Sequence, residues 1–213
     1  MAKALHGRFE TKASQEKMLS IKLLGPPEVS IEGRLLRFGT KKSLALLCYL
    51  AAEGRRCPRS ELAKLLWPQS DERHARTDLR SALAKLRKSL EEDGAHGDAQ
   101  KEVVRFLLVD GPLLGIESRG IGLDLGALQA AVSLARAGTS PTGISAEGVG
   151  RRDLISRLRG HLEIYRGDFM EGFSLEDAPE FELWLEAERA RWRRVFGEIC
   201  ERVCWTRFCS SAG

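Results

Sequence analysis

Residues 72–90, ERHARTDLRSALAKLRKSL, form the most informative stretch of this sequence. The stretch contains neither Gly nor Pro, and its apolar residues recur at helical spacing. The residues that share one stripe are Leu79, Leu83, Leu86 and Leu90, with Ala75 and Ala82 at its edge. This pattern predicts an amphipathic helix that buries the leucine stripe against a core.

The face opposite the leucine stripe is cationic. Six basic residues stand against two acids, so the stretch has a net charge of +4, equal to that of the whole chain. The basic residues are Arg73, Arg76, Arg80, Lys85, Arg87 and Lys88, and the acids are Glu72 and Asp78. Small residues among long cations suit a helix in the major groove, where arginine reaches bases and phosphates. A solvated amphipathic helix explains this stretch equally well, and the preceding residues distinguish the two interpretations.

The residues before this stretch predict a small antiparallel sheet followed by two helices. Strands are predicted over residues 19–24, 28–31 and 35–38, with turns at Gly25-Pro26-Pro27 and Glu32-Gly33. Thr40 is predicted to cap a helix over residues 41–53 that ends at Gly54.

A second helix is predicted over residues 61–67, capped by Ser60 and stopped by Pro68. A short polar loop, residues 69–71, leads from it to the basic helix. Two helices joined by a short link, of which the second is basic on its outer face, are typical of a helix-turn-helix.

A β-hairpin is predicted directly after the basic helix and its polar loop. Residues 103–109 form a strongly β-forming run, Asp110-Gly111 is a turn signal, and residues 113–116 form a second strand. A hairpin in this position is typical of a wing. The predicted fold of residues 19–123 is therefore an α+β winged helix: a small antiparallel sheet, three helices and a C-terminal hairpin wing.

Several ordered blocks of this region resemble the DNA-binding domain of the SARP-type (antibiotic regulatory protein-like) transcriptional activators. The blocks are LLGPPEVSIEG, KKSLALLCYLAAEGR, RSELAKLLWPQSDERHARTDLRSALAKLRKSL and FLLVDG. That domain is similar to the OmpR-type winged helix. The resemblance implies tandem or dimeric binding to repeated DNA sites and recruitment of RNA polymerase, with residues 68–71 as the polymerase contact.

The second half of the chain is predicted to be all-α, with a helix from Leu125 that ends at Gly138, one over residues 154–165 and one from Pro179 to about residue 204. A Gly/Ser/Thr loop, residues 139–150, separates the first two. Residues 165–185 resemble the bacterial transcriptional activator domain, which in that family begins an array of hairpins like tetratricopeptide repeats. The matching residues are Tyr165, Arg166, Gly167, Asp168, Phe169, Gly172, Phe173, Pro179, Glu180, Phe181, Trp184 and Leu185.

The sequence departs from that family at its end, because TRFCSSAG fits no repeat. Stacked repeats need neighbours to bury their faces, so we expect a truncated domain whose apolar edge either pairs with another copy or stays loosely packed. The predicted division is a disordered lead-in, residues 1–18; a winged helix, residues 19–123; a partial activator domain, residues 124–205; and a tail, residues 206–213.

Charge, hydropathy and cysteine content limit the class of protein. Eight acids and no Lys or Arg lie between Asp168 and Glu188, so the second half has an acidic patch that DNA would repel. The chain lacks the run of ~18 apolar residues that a membrane span needs, and residues 1–18 lack the apolar core of a signal peptide. Five cysteines without disulfide-like spacing fit a reducing cytoplasm.

We predict a set of DNA contacts on the basic helix: Arg73, Arg76, Thr77, Arg80, Ser81, Lys85 and Lys88. Arg80, in the middle of the outer face, is the predicted base contact, and Lys88 is a predicted phosphate contact. Arg59 and Ser60 begin the preceding helix. One interpretation is that the free N–H groups there bind a phosphate, and the other is that Ser60 is a simple N-cap. Arg105 is the predicted contact of the wing with the minor-groove edge.

Other chemistry has weaker support in the sequence. Residues 39–43 have only a faint likeness to a phosphate-binding loop, since the required Gly-Lys-Ser/Thr is absent. Cys200, Cys204 and Cys209 suggest a metal site or simple burial. Phe181, Trp184 and Trp192 suggest a ligand box, although helical spacing favours packing. The four histidines have no catalytic partner in sequence, so we expect no enzyme, cofactor or metal.

The sequence therefore predicts a cytoplasmic, sequence-specific DNA-binding transcriptional regulator, and an activator in particular. Its partners would be double-stranded DNA, RNA polymerase and a second copy bound through the C-terminal helices, with no membrane. The alternative is a protein-interaction adaptor with only non-specific affinity for DNA. The salt dependence and specificity of DNA binding separate the two interpretations.

Overall fold

The computed structural model describes residues 19–92, 106–117, 120–137, 160 and 162–211 of the 213-residue chain. The predicted lead-in, the start of the first hairpin strand, Arg105, the loop over residues 139–150 and most of the helix over residues 154–165 lie outside these ranges. The strands are β1 Leu19–Lys22, β2 Glu28–Ile31, β3 Arg34–Leu35, β4 Cys57–Pro58, β5 Leu107–Asp110, β6 Leu113–Ile116 and β7 Ile121–Leu123. The helices are α1 Lys41–Glu53, α2 Arg59–Leu66, α3 Glu72–Glu92, α4 Asp124–Ala137 and α5 Pro179–Ser211.

The first sheet has the strand order β3-β2-β1-β7. Strands β1 and β2 are antiparallel as predicted, with Leu19 opposite Ile31. Strand β7 adds to the other side of β1 in parallel and was not predicted, because three residues directly before a helix carry no periodic signal. The third strand is Arg34–Leu35 instead of residues 35–38, since the Glu32-Gly33 turn is tight, with φ of 49° and 81°, and returns the chain to β2 at once.

The second sheet has the order β4-β6-β5 and contains the predicted hairpin. Strands β5 and β6 pair antiparallel from Leu107 opposite Ile116 to Asp110 opposite Leu113. Strand β4 has only two residues, one of them Pro58, and was missed for that reason. By pairing with β6, it holds the hairpin beside the start of α2.

Helix α1 begins and ends as predicted. The Thr40 hydroxyl oxygen accepts a hydrogen bond from the Ser43 amide, and Gly54 takes the left-handed conformation at the C-terminus. Helix α1 is buried around much of its circumference, because it lies at the centre of the core. Its buried residues are Ser43, Ala45, Leu46, Leu47, Cys48, Tyr49, Leu50 and Ala51.

The predicted role of Ser60 as the cap of α2 is wrong. The helix begins at Arg59, and the extended residue before it is Pro58, which makes no side-chain cap. The pairing of β4 with β6 fixes Pro58 in extended geometry, so the helix starts one residue before Ser60. Helix α2 ends at Leu66, and Trp67 is its C-cap, just before Pro68.

The segment before α5 is hydrogen bonded to the first sheet. The Met170 amide donates to the Leu23 carbonyl at 2.7 Å, and the Arg166 amide donates to the Leu24 carbonyl at 3.2 Å. The Asp124 carboxylate, at the start of α4, accepts from the Leu23 and Leu24 amides at 2.7 and 2.8 Å. Burial raises the pKa of this carboxyl, although these amides oppose the shift.

A continuous core extends from β1 to α5. Buried residues of the first sheet and of α1 share it with Phe169, Phe181 and Trp192 of the C-terminal segment. Helix α5 is longer than predicted and ends at Ser211. Within the described residues, no helix is long and apolar enough to cross a bilayer.

Candidate nucleic-acid interface

Helix α3 packs on the core through the predicted leucine stripe. Leu79, Leu83, Leu86 and Leu90 are buried, as are Ala75 and Ala82. The stripe faces α1 and α2, which fixes the rotation of α3 about its axis. The opposite face of the helix therefore points away from the protein.

Asp71 caps the N-terminus of α3. One of its carboxylate oxygens accepts from the His74 amide at 3.0 Å, and the other lies 2.5 Å from Nδ1 of the His74 ring. The hydrogen bond from the His74 amide, followed by that with the ring, lowers the pKa of the Asp71 carboxyl. The same carboxylate raises the pKa of His74, chiefly through the side-chain hydrogen bond. A negative side chain at this position also complements the helix dipole.

The structure places all seven predicted contacts of α3 on its solvent-exposed surface. These residues are Arg73, Arg76, Thr77, Arg80, Ser81, Lys85 and Lys88. Arg76 is paired with Glu72 one turn earlier, and the Thr77 hydroxyl donates to the Arg73 carbonyl at 3.0 Å. Among the described residues, neither Arg73 nor Arg80 has an ion-pair partner, so both guanidinium groups are available to a ligand.

One flank of α3 borders a cleft of about 300 Å³ between this helix and the start of α1. Ser81 and Lys85 line it from α3, and Lys41 and Lys42 line it from α1. Lys88 lies one turn beyond Lys85 on the exposed surface of α3. Two of the predicted contacts thus face a basic recess as well as solvent.

The two predicted contacts at the start of α2 differ in their surroundings. Ser60 is exposed, whereas Arg59 is half-buried and its Nε is buried without a hydrogen-bond partner among the described atoms. The Arg59 amide donates to the Pro112 carbonyl of the hairpin turn at 2.8 Å, so that N–H is not available to a phosphate. The two residues therefore lie beside the hairpin and not on the surface of α3.

The hairpin turn carries one ion pair to the body of the protein. Arg56 donates to the Asp110 carboxylate at 2.7 Å, and both side chains are exposed. The predicted wing contact, Arg105, lies outside the described residues. Val109, next to the turn, is an exposed apolar residue on this hairpin.

The turn between α2 and α3 is partly covered by the C-terminal segment. Trp67 is half-buried and lies between two clefts, one lined by Leu175 and Asp177 and the other lined by Glu180. Gln69 and Asp71 are exposed. The predicted polymerase contact, residues 68–71, thus borders acidic residues that are remote in sequence.

The structure places three of the other sequence candidates, Ser43, Trp184 and Trp192, in packed surroundings. The Ser43 hydroxyl, in the loop-like stretch at the start of α1, is buried and donates to the Ala82 carbonyl at 3.3 Å. Trp184 and Trp192 lie on the packed side of α5, where the Trp184 ring is 4.8 Å from that of Tyr49. Of the described residues, no three His, Cys, Asp or Glu side chains form a group that would hold a metal ion. Cys200 is half-buried, and the side chains of Cys204 and Cys209 lie outside the described set.

Sequence reasoning missed the contact of the acidic segment with the basic region. Asp177 forms an ion pair with Lys42, and the Trp184 indole donates to the Glu53 carboxylate of α1 at 3.1 Å. The sequence predicts an acidic patch in the second half of the chain but not its contact with the basic region. The only signal for this contact was charge complementarity, which does not specify which residues meet.

Comparisons with known proteins identify a similar fold. No protein-family model matches the chain, and no curated protein matches it. Among solved structures, the chain is similar to Mycobacterium tuberculosis EmbR, determined in complex with a low-affinity phosphopeptide. The two have 24% sequence identity and a TM-score of 0.59, over 80% of this chain and 41% of the EmbR chain. This chain therefore spans less than half the length of EmbR and shares the fold of that part.

Proposed function

We propose that this protein is a sequence-specific DNA-binding transcriptional regulator, in which α3 enters the major groove. The observation that carries the proposal is the surface of α3, where all seven predicted contacts are exposed outside a buried apolar stripe. Arg80, in the middle of such a face and without an ion-pair partner among the described residues, suits recognition of guanine, and the flanking cations suit phosphates.

The fold likeness to EmbR, a SARP-family regulator, supports this proposal. The resemblance of residues 19–123 to the SARP DNA-binding domain points in the same direction. In this proposal the hairpin β5–β6 is the wing and residues 124–205 form a partial, tetratricopeptide-like activator domain. Arg59, Ser60 and Arg105 add contacts around the main surface, and residues 68–71 contact RNA polymerase. The protein acts in the cytoplasm as an activator, and its C-terminal helices pair two copies.

The proposal is tested by fluorescence anisotropy with a pool of genomic fragments that includes the upstream region of its own gene, at two salt concentrations. We expect a selected fragment to bind at least ~10³-fold more tightly than random duplex. We also expect its affinity to fall steeply with salt, since every neutralised phosphate releases counterions. Weak binding that ignores sequence would contradict the proposal.

The second candidate is a protein-interaction adaptor. It is favoured by Leu183, a large apolar side chain on α5 that is 73% exposed, and by the acidic turn beside the helix-turn-helix. In this case DNA binding would have no sequence preference and would vanish at moderate salt. A Leu183→Glu variant that binds DNA as weakly and as non-specifically as wild type but loses a protein partner would support the adaptor function.

A further inference from the structure

The cleft between α1 and α3 is a recess for an anion. Its lining includes three lysines, Lys41, Lys42 and Lys85, and the hydroxyl-bearing residues Thr40 and Ser81. One acid from α3, Asp78, and one from the C-terminal segment, Asp177, also line it. Without Asp177 the charges lining the cleft sum to +2, and with it they sum to +1.

Lys42 is the most constrained of these cations. Its side chain is only 17% exposed, and its Nζ lies 5.0 Å from the centre of the Trp67 ring. A cation–π contact and partial burial hold the ammonium group in one place, pointing to the cleft. A positioned, partly desolvated ammonium attracts an anion more strongly than a lysine that moves freely in water.

The anion that Lys42 now meets is part of the chain itself. The Asp177 carboxylate lies 2.7 Å from the Lys42 Nζ, and its side chain is 64% exposed. The acid comes from the turn before α5, a distant part of the sequence, and reaches the cleft across Trp67. Because it approaches from the solvent side, it lies where an external anion would enter.

We propose that this cleft is a binding site for a DNA backbone phosphate next to the recognition helix, and that Asp177 occupies it as an internal competitor. The inference rests on the proposed function, since Ser81 and Lys85 line the cleft and belong to the predicted DNA surface. Binding of the phosphate displaces Asp177 and pairs Lys42 with the DNA. The C-terminal segment thereby reduces the affinity of the protein for DNA.

The test compares wild type with Asp177→Asn by fluorescence anisotropy on the selected duplex. We expect the variant to bind roughly two- to fivefold more tightly at low salt, the effect of one exposed ion pair. We also expect the slope of log K against log salt to steepen, by at most about 0.9, because Lys42 neutralises the phosphate in every complex of the variant and in only part of the complexes of wild type.

Two matched variants separate this mechanism from a general change of charge. Glu176→Gln removes a negative charge from the adjacent exposed residue, for which the described structure gives no ion-pair partner, and should leave the slope unchanged. In a Lys42→Gln background, Asp177→Asn should produce no gain, as expected of a double-mutant cycle for a coupled pair. An equal effect of Glu176→Gln, or a gain that persists without Lys42, would overturn the proposal.

A second readout does not depend on DNA. Inorganic phosphate is titrated into both proteins while their thermal unfolding is followed, since a ligand of the native state raises the midpoint. Phosphate should stabilise Asp177→Asn more than wild type and more than the double variant with Lys42→Gln. If no protein binds DNA but this difference appears, the site is real and the proposed function fails. If wild type binds DNA and both readouts are the same for Asp177→Asn, the inference fails alone.

Discussion

At the residue scale, Arg80 and Lys88 are expected to serve different roles on the same exposed face of α3. Arg80→Ala should remove ~1–3 kcal/mol of discrimination between the preferred site and a site changed at one base pair. Lys88→Ala should weaken binding to both sites alike and lower the salt slope by about one. Anisotropy on the two duplexes measures both effects, and equal, sequence-independent losses would contradict the assignment.

The pair formed by Asp71 and His74 predicts a pH dependence at the start of α3. The pKa of His74 is raised, so its contribution to stability is complete below the ordinary value of 6.5 and is lost as pH rises through the raised value. The pKa of Asp71 is lowered from 3.8, so its contribution is present above that value and is lost as pH falls through the lowered one. The pair therefore stabilises the helix most between about pH 4 and 6.5.

A His74→Gln variant provides the measurement, because glutamine keeps a polar side chain at the third helical position without the titration. We expect the difference in urea midpoint between wild type and variant to shrink from pH 6 to pH 9. A difference that stays constant over this range would show that the imidazolium does not take part.

The sequence predicted the exposed residues of α3 well and the residues of the adjacent cleft poorly. The 3.6-residue period places Ser81 opposite the leucine stripe and Arg80 on the exposed flank of that stripe, whatever the rest of the fold is. No local pattern joins Lys42 to Asp177, because their contact depends on how the segment before α5 crosses Trp67. The exposure of residues on one helix can be predicted from local periodicity, whereas a contact between residues far apart in sequence depends on tertiary packing.

At the scale of elements, Trp184 joins α5 to α1. Its ring packs on Tyr49 and lies 5.1 Å from the Phe181 ring, and its indole donates to Glu53. Trp184→Ala should lower the free energy of unfolding by about 2–4 kcal/mol, somewhat less than for a fully buried aromatic residue. Leu183→Ala, at the exposed neighbouring position, should change it by less than ~0.5 kcal/mol. Urea unfolding of both variants measures the contrast, and equal losses would show that this junction does not stabilise the protein.

Long elements with a clear periodicity were predicted accurately, whereas very short ones were not. Helix α3 begins where expected and is two residues longer, and Leu113–Ile116 was predicted as observed. The short strands β4 and β7 were missed, because two or three residues acquire strand geometry from their partners and not from their own preference. The same cause explains Ser60, since the pairing of β4 and not the cap residue determines where α2 begins.

At the scale of the whole molecule, the continuous core predicts cooperative unfolding. Phe169 is fully buried and lies in isolated bridges with Leu24 and Gly25 of the first sheet. Phe169→Ala should therefore destabilise the entire described structure by about 3–5 kcal/mol, with tryptophan fluorescence and far-UV circular dichroism changing together. Two separate unfolding transitions would show two independent domains instead, if Phe169→Ala shifted only the transition of the later part of the chain.

The parallel pairing of β7 with β1 also has a consequence for how the protein is made. As the nascent chain leaves the ribosome, β1 and β2 can pair at once, but the other edge of β1 stays open until residues 121–123 have followed. The Leu24 amide has no access to its partner Asp124 until a further 100 residues have been synthesised. At ~5–20 residues per second, their synthesis takes roughly 5–20 s. During that interval β1 presents an apolar strand edge to other chains, so production of this protein should depend on the chaperones that shield such edges.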